Sequence, residues 1–291
     1  MSLFDQLVDE ALRTRANLAS LRPVVEKELL HHDILREMSA AGLLAGLNFI
    51  GGTCLRACYG SARLSEDLDF TGGSDFRRGD LGELAMLLTD RLQSRYGLPV
   101  RVSEPVKVGG NVSTWKLVIE TRPGRKHLPA QRINLDICAI PSHDPRPAML
   151  RNIYGVDLGT SGLILQAQSR EEILADKVVA LALRENRIKN RDLWDIGWLV
   201  QQGIELPLEL IPLKISDHKR KNVAFIAALE TRLAALRGNP ETRADFLREM
   251  RRFLPAAVVR DTVEKEPYWR YLTQVVMELG HKTMGALKKS S

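Results

Sequence analysis

The apolar residues of this chain keep two different periods, and the order in which the periods appear leaves few folds open. Alternation, the mark of a half-buried strand, runs through Leu64–Phe70 and through residues 100–103, 112–120, 131–140 and 162–168; Leu47–Ile50 is a shorter strand candidate. Helical spacing comes first, in Leu3, Leu7, Val8, Ala11 and Leu12 and then across Val24–Ala45. It returns in Leu81, Leu84, Leu87, Leu88 and Leu92, a helix that Gly97 is placed to end. From Ser169 onward no segment alternates. Ser169 and Glu172 form an S-x-x-E capping box that opens a helix over about 170–186. The polar stretch Glu185–Asn190 separates it from a second helix ended by Gly203, and stripes near 222–236, 241–253 and 268–279 fit further helices. The expected fold is α/β (α+β): a mixed β-sheet flanked by helices over residues 1–168, then a helical C-terminal domain over 169–291.

Composition narrows the function classes. Of the 291 residues 44% are hydrophobic, which permits a substantial core, yet no apolar run reaches the roughly 18 residues that cross a bilayer. The first ten residues lack the basic and apolar regions of a secretion signal, so no membrane partner and a cytoplasmic location are the expectation. A net charge of +6 allows a nucleic-acid partner without demanding one. Cys54, Cys58 and Cys138 are odd in number and fit no disulfide framework. With no second Cys pair and no His-x₃-His, core thiols are a better reading than a zinc site.

The densest chemical signal runs from Gly51-Gly52-Thr53 to Arg63-Leu64-Ser65-Glu66-Asp67-Leu68-Asp69-Phe70. The glycines let the backbone turn tightly and approach a ligand. A helix with Thr53 as N-cap would aim free N–H groups at an anion such as a phosphate. On a strand, Asp67 and Asp69 share a face, and two like charges side by side favour a divalent cation, for which carboxylates are suitable hard ligands. The bland alternative is an ordinary turn followed by two solvated aspartates. Asp136 stands alone in the apolar strand Arg132–Ile140, where an unpartnered carboxylate is costly. Either an arginine such as Arg132 pairs with it, or it faces the same metals as Asp67 and Asp69. A third patch, Glu172–Arg184 followed by Arg191, Asp192 and Asp195, puts Lys177 where a mobile point charge could reach phosphates, with Asp192 to orient it or an arginine, or to contact the nucleotide. By itself that patch also fits a salt-bridged, solvated helix face.

The pattern G-G-T-x-L…R-x-S-E-D-L-D-F, then N-L-D-I, then E-I-L-A-D-K…R-D-L-W-D-I resembles the AbiEii/AbiGii-type (MenT-like) toxins of the DNA polymerase β-like nucleotidyltransferase superfamily. The likeness spans roughly Phe49–Leu199, and Gly-Thr replaces the superfamily's usual Gly-Ser. It implies a nucleotidyltransferase-like sheet and a toxin of a toxin–antitoxin or phage-defence system. Such a toxin moves NMP from an NTP onto the 3′ end of tRNA, with Mg²⁺ (or Mn²⁺) as cofactor and a winged-helix antitoxin as partner. Carried over by position, Asp67, Asp69 and Asp136 bind metal; Gly52, Thr53, Arg63, Ser65, Lys177 and Arg191 bind the nucleotide. Lys177 and Asp192 join the three aspartates as catalytic residues, and the helical domain completes the NTP site. Arg122–Lys126 and Lys214–Lys221 are candidates for RNA contact. Two rival functions remain: a transferase of the same fold acting on a small molecule or a protein hydroxyl, and a non-catalytic NTP-binding regulator.

Overall fold

A computed structural model describes residues 2–105, 110–124, 128–184, 187–238 and 240–289. The chain divides into two compact units, Met1–Ala167 and Gln168–Ser291. In the first unit the alternating segments become strands of one mixed sheet: β1 (Asn48–Ile50), β2 (Leu68–Thr71), β3 (Val100–Ser103), β4 (Val112–Ile119), β5 (Gln131–Cys138), β6 (Pro145–Met149) and β7 (Ile164–Gln168). Their spatial order is β3-β4-β5-β2-β1-β7-β6. β2 runs parallel to β5, while β4 is antiparallel to β5 and β1 antiparallel to β2. Helices α1 (Leu3–Thr14), α2 (Arg22–Ala40), α3 (Gly51–Ala57) and α4 (Leu84–Tyr96) complete the unit. As the spacing predicts, α4 stops at Gly97, which takes the left-handed conformation (φ 62°).

Two strand expectations change. β2 begins at Leu68 rather than Leu64; residues 64–67 are a loop held by polar contacts, described below. β6 has no alternating apolar signal, and its Pro145 and Pro147 read as turn residues. It lies at the end of the strand order, where a missing N–H breaks no ladder.

One face of β3, β4, β5 and β2 is apolar and buried: Val100, Trp115, Leu117, Ile119, Ile133, Leu135, Ile137, Leu68 and Phe70. α2 packs against β5 and α4, and α4 against β3. Much of the inward surface of α2 is nonetheless polar. Glu26, Glu28, His31, His32 and Asp33 are all buried, and each has a partner. Asp33 takes the Tyr96 hydroxyl at 2.6 Å and Arg36 at 2.7 Å. Glu26 takes Gln131 Nε2 at 2.7 Å and also pairs with Arg122. Glu28 accepts from Arg56 Nε (3.1 and 3.2 Å), from the backbone N–H of Ser65 (2.9 Å) and from the Tyr154 hydroxyl. Cys54 on α3 and Cys58 at its C-cap are free, buried thiols.

The second unit is built from α5 (Arg170–Leu183), α6 (Asn190–Gln201), α7 (Leu210–Asp217), α8 (Asn222–Gly238), α9 (Pro240–Met250), α10 (Ala256–Val258) and α11 (Glu266–Lys289). Ser169 Oγ caps α5 by accepting the Glu172 N–H at 3.0 Å. The Glu172 side chain does not return to close the capping box. It turns inward to Lys214, which is fully buried and also holds Asp176 at 3.0 Å. No helix of the described residues is long and apolar enough to cross a membrane.

The two histidines of α2 carry a pH signature. His31 Nε2 donates to the Glu66 carbonyl (3.0 Å), and His32 Nδ1 lies 2.9 Å from Thr160 Oγ1. Burial lowers them from the usual 6.5 to about 3 and about 4, respectively. Both are therefore neutral in the folded protein where the unfolded chain already binds protons. Stability should fall as pH drops from about 6.5 toward 4, with a limiting contribution from the pair of about 2.7 kcal/mol per pH unit. Urea unfolding across that range checks it: replacing both histidines with Gln should flatten the slope, and an unchanged slope would assign the effect to other groups.

Candidate functional site

The site in the first unit begins with the turn into α3. Ile50 is extended, and Gly51 follows at φ 73°, a left-handed conformation that side chains oppose. A Cβ on Gly51 would lie 3.2 Å from Asp69 Oδ2, so the glycine both turns the chain and leaves room for that carboxylate. α3 starts at Gly51, with Ile50 as N-cap; the sequence pattern placed Thr53 there. The Thr53 side chain has a different task. It is buried, and its hydroxyl lies 2.6 Å from Ser65 Oγ and also donates to the Asp67 carbonyl. Ser65 and Arg63 are buried as well, with Arg63 Nη1 donating to the Leu64 carbonyl at 3.0 Å. These side chains hold the 64–67 loop together. They are not presented outward in the manner expected of nucleotide ligands.

Asp69 and Asp136 come together. They are register partners on the adjacent parallel strands β2 and β5, which puts their Cα atoms about 4.8 Å apart with both side chains on the same, half-exposed face. Asp67 is placed differently. The backbone leaves strand geometry before Leu68, and Asp67 Oδ1 accepts the Asn134 N–H at 3.0 Å, extending the β2–β5 ladder with a side-chain oxygen. Its carboxylate is therefore partly committed to β5, rather than standing beside Asp69 as strict alternation implies. Among the described residues no group of three or more His, Cys, Asp or Glu is already placed to hold a metal ion. The pair Asp69–Asp136 still suits Mg²⁺, which is commonly held by one or two carboxylates together with waters and substrate phosphates.

In the second unit Lys177 is nearly buried between two carboxylates, with Nζ 2.6 Å from Asp192 Oδ1 and 2.9 Å from Asp195 Oδ2. Arg184 reaches the other Asp192 oxygen at 3.2 Å. Burial alone would raise the Asp192 carboxyl, but Lys177, Arg184 and Lys189 together hold it below the ordinary carboxylate range. Asp192 thus holds both Lys177 and Arg184, two of the partners the sequence offered it. A phosphate reaching Lys177 would compete with both aspartates. Arg191 is turned to other partners: its Nε lies 3.2 Å from Glu249 and its guanidinium 4.8 Å from the Phe253 ring centroid.

Of the two basic segments offered for RNA contact, Arg122 and Lys214 are committed to other partners, while Lys219, Arg220 and Lys221 are exposed. Arg122 pairs with Glu26 and with Asp5 (3.6 Å), and Lys214 is sealed among carboxylates. Arg125 and Lys126 lie outside the described residues. The sequence reading also missed Glu28, whose contact with Ser65 supports the whole loop. Its signal was available: Glu28 sits three and four residues after Val25 and Val24, on the apolar stripe of its helix.

The family described as "Nucleotidyl transferase AbiEii toxin, Type IV TA system" matches residues 33–273. The chain belongs to this family. The matched span contains every element of both clusters except the first part of α2, with Glu28. No curated protein sequence matches the chain. Among solved structures, it is similar to MenT4, a nucleotidyltransferase toxin from Mycobacterium tuberculosis, at 13% identity and TM-score 0.54, covering 97% of this chain and 98% of that one. It is also similar to JHP933 from Helicobacter pylori, at 18% identity and TM-score 0.48, covering 91% and 96%. The first likeness supports a nucleotidyltransferase-toxin fold; AbiEii membership makes the chain a nucleotidyltransferase toxin of type IV toxin–antitoxin systems.

Gly51 and Gly73 offer a matched pair for testing the turn. Both have positive φ, but a Cβ on Gly73 would meet nothing within 4 Å. Gly73→Ala should cost about 1–2 kcal/mol of unfolding free energy from conformation alone. Gly51→Ala should cost measurably more, because Asp69 must also move; equal losses in urea unfolding would show that Asp69 gives way freely.

Proposed function

We propose that this AbiEii toxin transfers a nucleoside monophosphate from a nucleoside triphosphate to the 3′-hydroxyl of tRNA, releasing pyrophosphate and so blocking translation. The observation that carries the reading is the in-register pair Asp69–Asp136 on one sheet face, with Gly51 kept clear of Asp69. Asp69 and Asp136 would hold Mg²⁺ or Mn²⁺, with Asp67 offering the carboxylate oxygen that the Asn134 N–H leaves. When bound, such an ion lowers the pKa of an attacking hydroxyl and offsets charge on a leaving phosphate. The chain's own residues supply position. Thr53 and Ser65 fix the loop that delivers Asp67, and Asn134 fixes the direction of the Asp67 carboxylate. The backbone N–H groups of Gly52 and Thr53, in the first turn of α3, are donors of the kind that hold a phosphate. Lys177 is assigned to the triphosphate by family resemblance, and its pairing with Asp192 and Asp195 restrains its ammonium group.

Type IV toxin–antitoxin membership supports an antitoxin partner, here proposed to be a winged-helix protein, with phage defence as the proposed role of the pair. The decisive assay incubates the purified protein with total tRNA and each α-labelled NTP in turn. Label should enter tRNA, EDTA should abolish it, and Mg²⁺ or Mn²⁺ should restore it. Asp69→Asn and Asp136→Asn should each reduce transfer about a hundredfold or more while leaving the fold intact. Full activity in Asp69→Ala would overturn the site. Label entering a protein or a small molecule in the absence of RNA would assign a different acceptor, and NTP binding without turnover would assign a regulator.

A further inference from the structure

The sheet face that carries Asp69 and Asp136 also carries a row of cations that no function has been given. Register and alternation place Thr114 opposite Asp136, Lys116 opposite Asn134, and Val118 between Arg132 on β5 and Arg101 on β3. Residues two apart on a strand share a face, so Lys116, Arg132 and Arg101 stand on the same side as the two aspartates. All three are exposed, while the residues alternating with Lys116 and Arg132 are buried in the core. Lys116 is a diagonal neighbour of Asp136, at roughly 7–8 Å between Cα atoms. Arg132 lies four residues back along β5, about 13 Å from Asp136.

Several cations of the first unit are already committed to carboxylates. Arg22, Lys27, Arg36, Arg56, Arg95 and Arg122 all pair with carboxylates. Lys116, Arg132 and Arg101 make no ion pair among the described residues. Nor does protection of a sheet edge explain Lys116 and Arg132, because β4 and β5 are internal strands. Between the cations the face is uncharged: Val118 separates Arg132 from Arg101, while Thr114 and Asn134 are available as hydrogen-bonding groups.

We propose that Lys116, Arg132 and Arg101 form a track for the phosphate backbone of the acceptor RNA strand, which lies along the open face with its 3′ end at Asp69 and Asp136. The proposal rests on the RNA acceptor suggested above and names where that acceptor binds. Spaced cations along a sheet suit a single-stranded backbone, whose phosphates recur along the chain. A nucleoside triphosphate would instead concentrate its charge at one end of the row.

The test measures binding, so it does not depend on turnover. The full chain is titrated against a fluorescein-labelled tRNA acceptor minihelix with a free single-stranded 3′ end, read by anisotropy at several salt concentrations. A fluorescent ATP analogue is titrated separately. The triple variant Lys116→Ala, Arg132→Ala, Arg101→Ala should bind the minihelix on the order of 10- to 100-fold more weakly at 0.1 M salt, and its log–log salt slope should shrink by about 2. Its affinity for the analogue and its thermal unfolding should be unchanged, since the three side chains are exposed. An unchanged minihelix affinity and slope would overturn the proposal, as would a wild-type protein that does not bind the minihelix. A parallel loss of analogue binding would also overturn it, because the cations would then serve the triphosphate. If the track binds RNA but no label is transferred, the proposed reaction fails and the track stands. If label is transferred equally by wild type and triple variant, the reverse holds.

Discussion

The carboxylate of Glu28 ties together four segments that no strand pairing connects. From α2 it receives Arg56 of α3, the backbone of Ser65 in the loop before β2, and Tyr154 beyond β6. A buried carboxylate is tolerated only when its oxygens are satisfied, and here the satisfying groups are the ones whose positions matter. Ser65 then meets the Thr53 hydroxyl, and Thr53 holds the Asp67 carbonyl. A chain of polar contacts thus runs from the core of a helix to the start of the strand that carries Asp69. The site sits on a loop, but the loop is fixed from below.

The sheet itself separates two kinds of work. Its buried face is continuous Leu, Ile, Phe, Val and Trp, and it gains the burial of apolar surface that holds the unit together. Its open face carries no comparable apolar surface, so polar and charged residues there cost little in stability. Asp69 and Asp136 set two carboxylates in one row of adjacent strands, an arrangement that apolar packing does not call for. Such a pair on an otherwise well-packed scaffold reads as function.

The helical unit manages charge by burial in networks. Lys214 is sealed with Glu172 and Asp176, and Lys177 with Asp192 and Asp195. Removing one member of either set would strand an opposite charge in a low-dielectric interior, which is far more costly than losing an exposed pair. The two networks branch from neighbouring positions of α5, so one helix organises both.

Alternation by itself placed β3, β4, β5 and β7, and the 3.6-residue period placed α5, α6, α8, α9 and α11, because each of these must bury one face; the short α7 and α10 escaped it. Sequence also marked Gly51, Asp69, Asp136 and Lys177, whose residue types are hard to explain by packing. It could not tell that Asp67 would turn its oxygen to the Asn134 N–H, or that Thr53 would face Ser65 instead of solvent. Both depend on where a loop leaves the sheet, and that is set by contacts remote in sequence, above all Glu28 with Ser65. β6 was invisible because its prolines suit an edge, and only the strand order shows it to be one. The partnering of Asp69 with Asp136 is likewise a matter of register: periodicity gives each strand its faces, but only the tertiary pairing of β2 with β5 brings two carboxylates 67 residues apart to the same row.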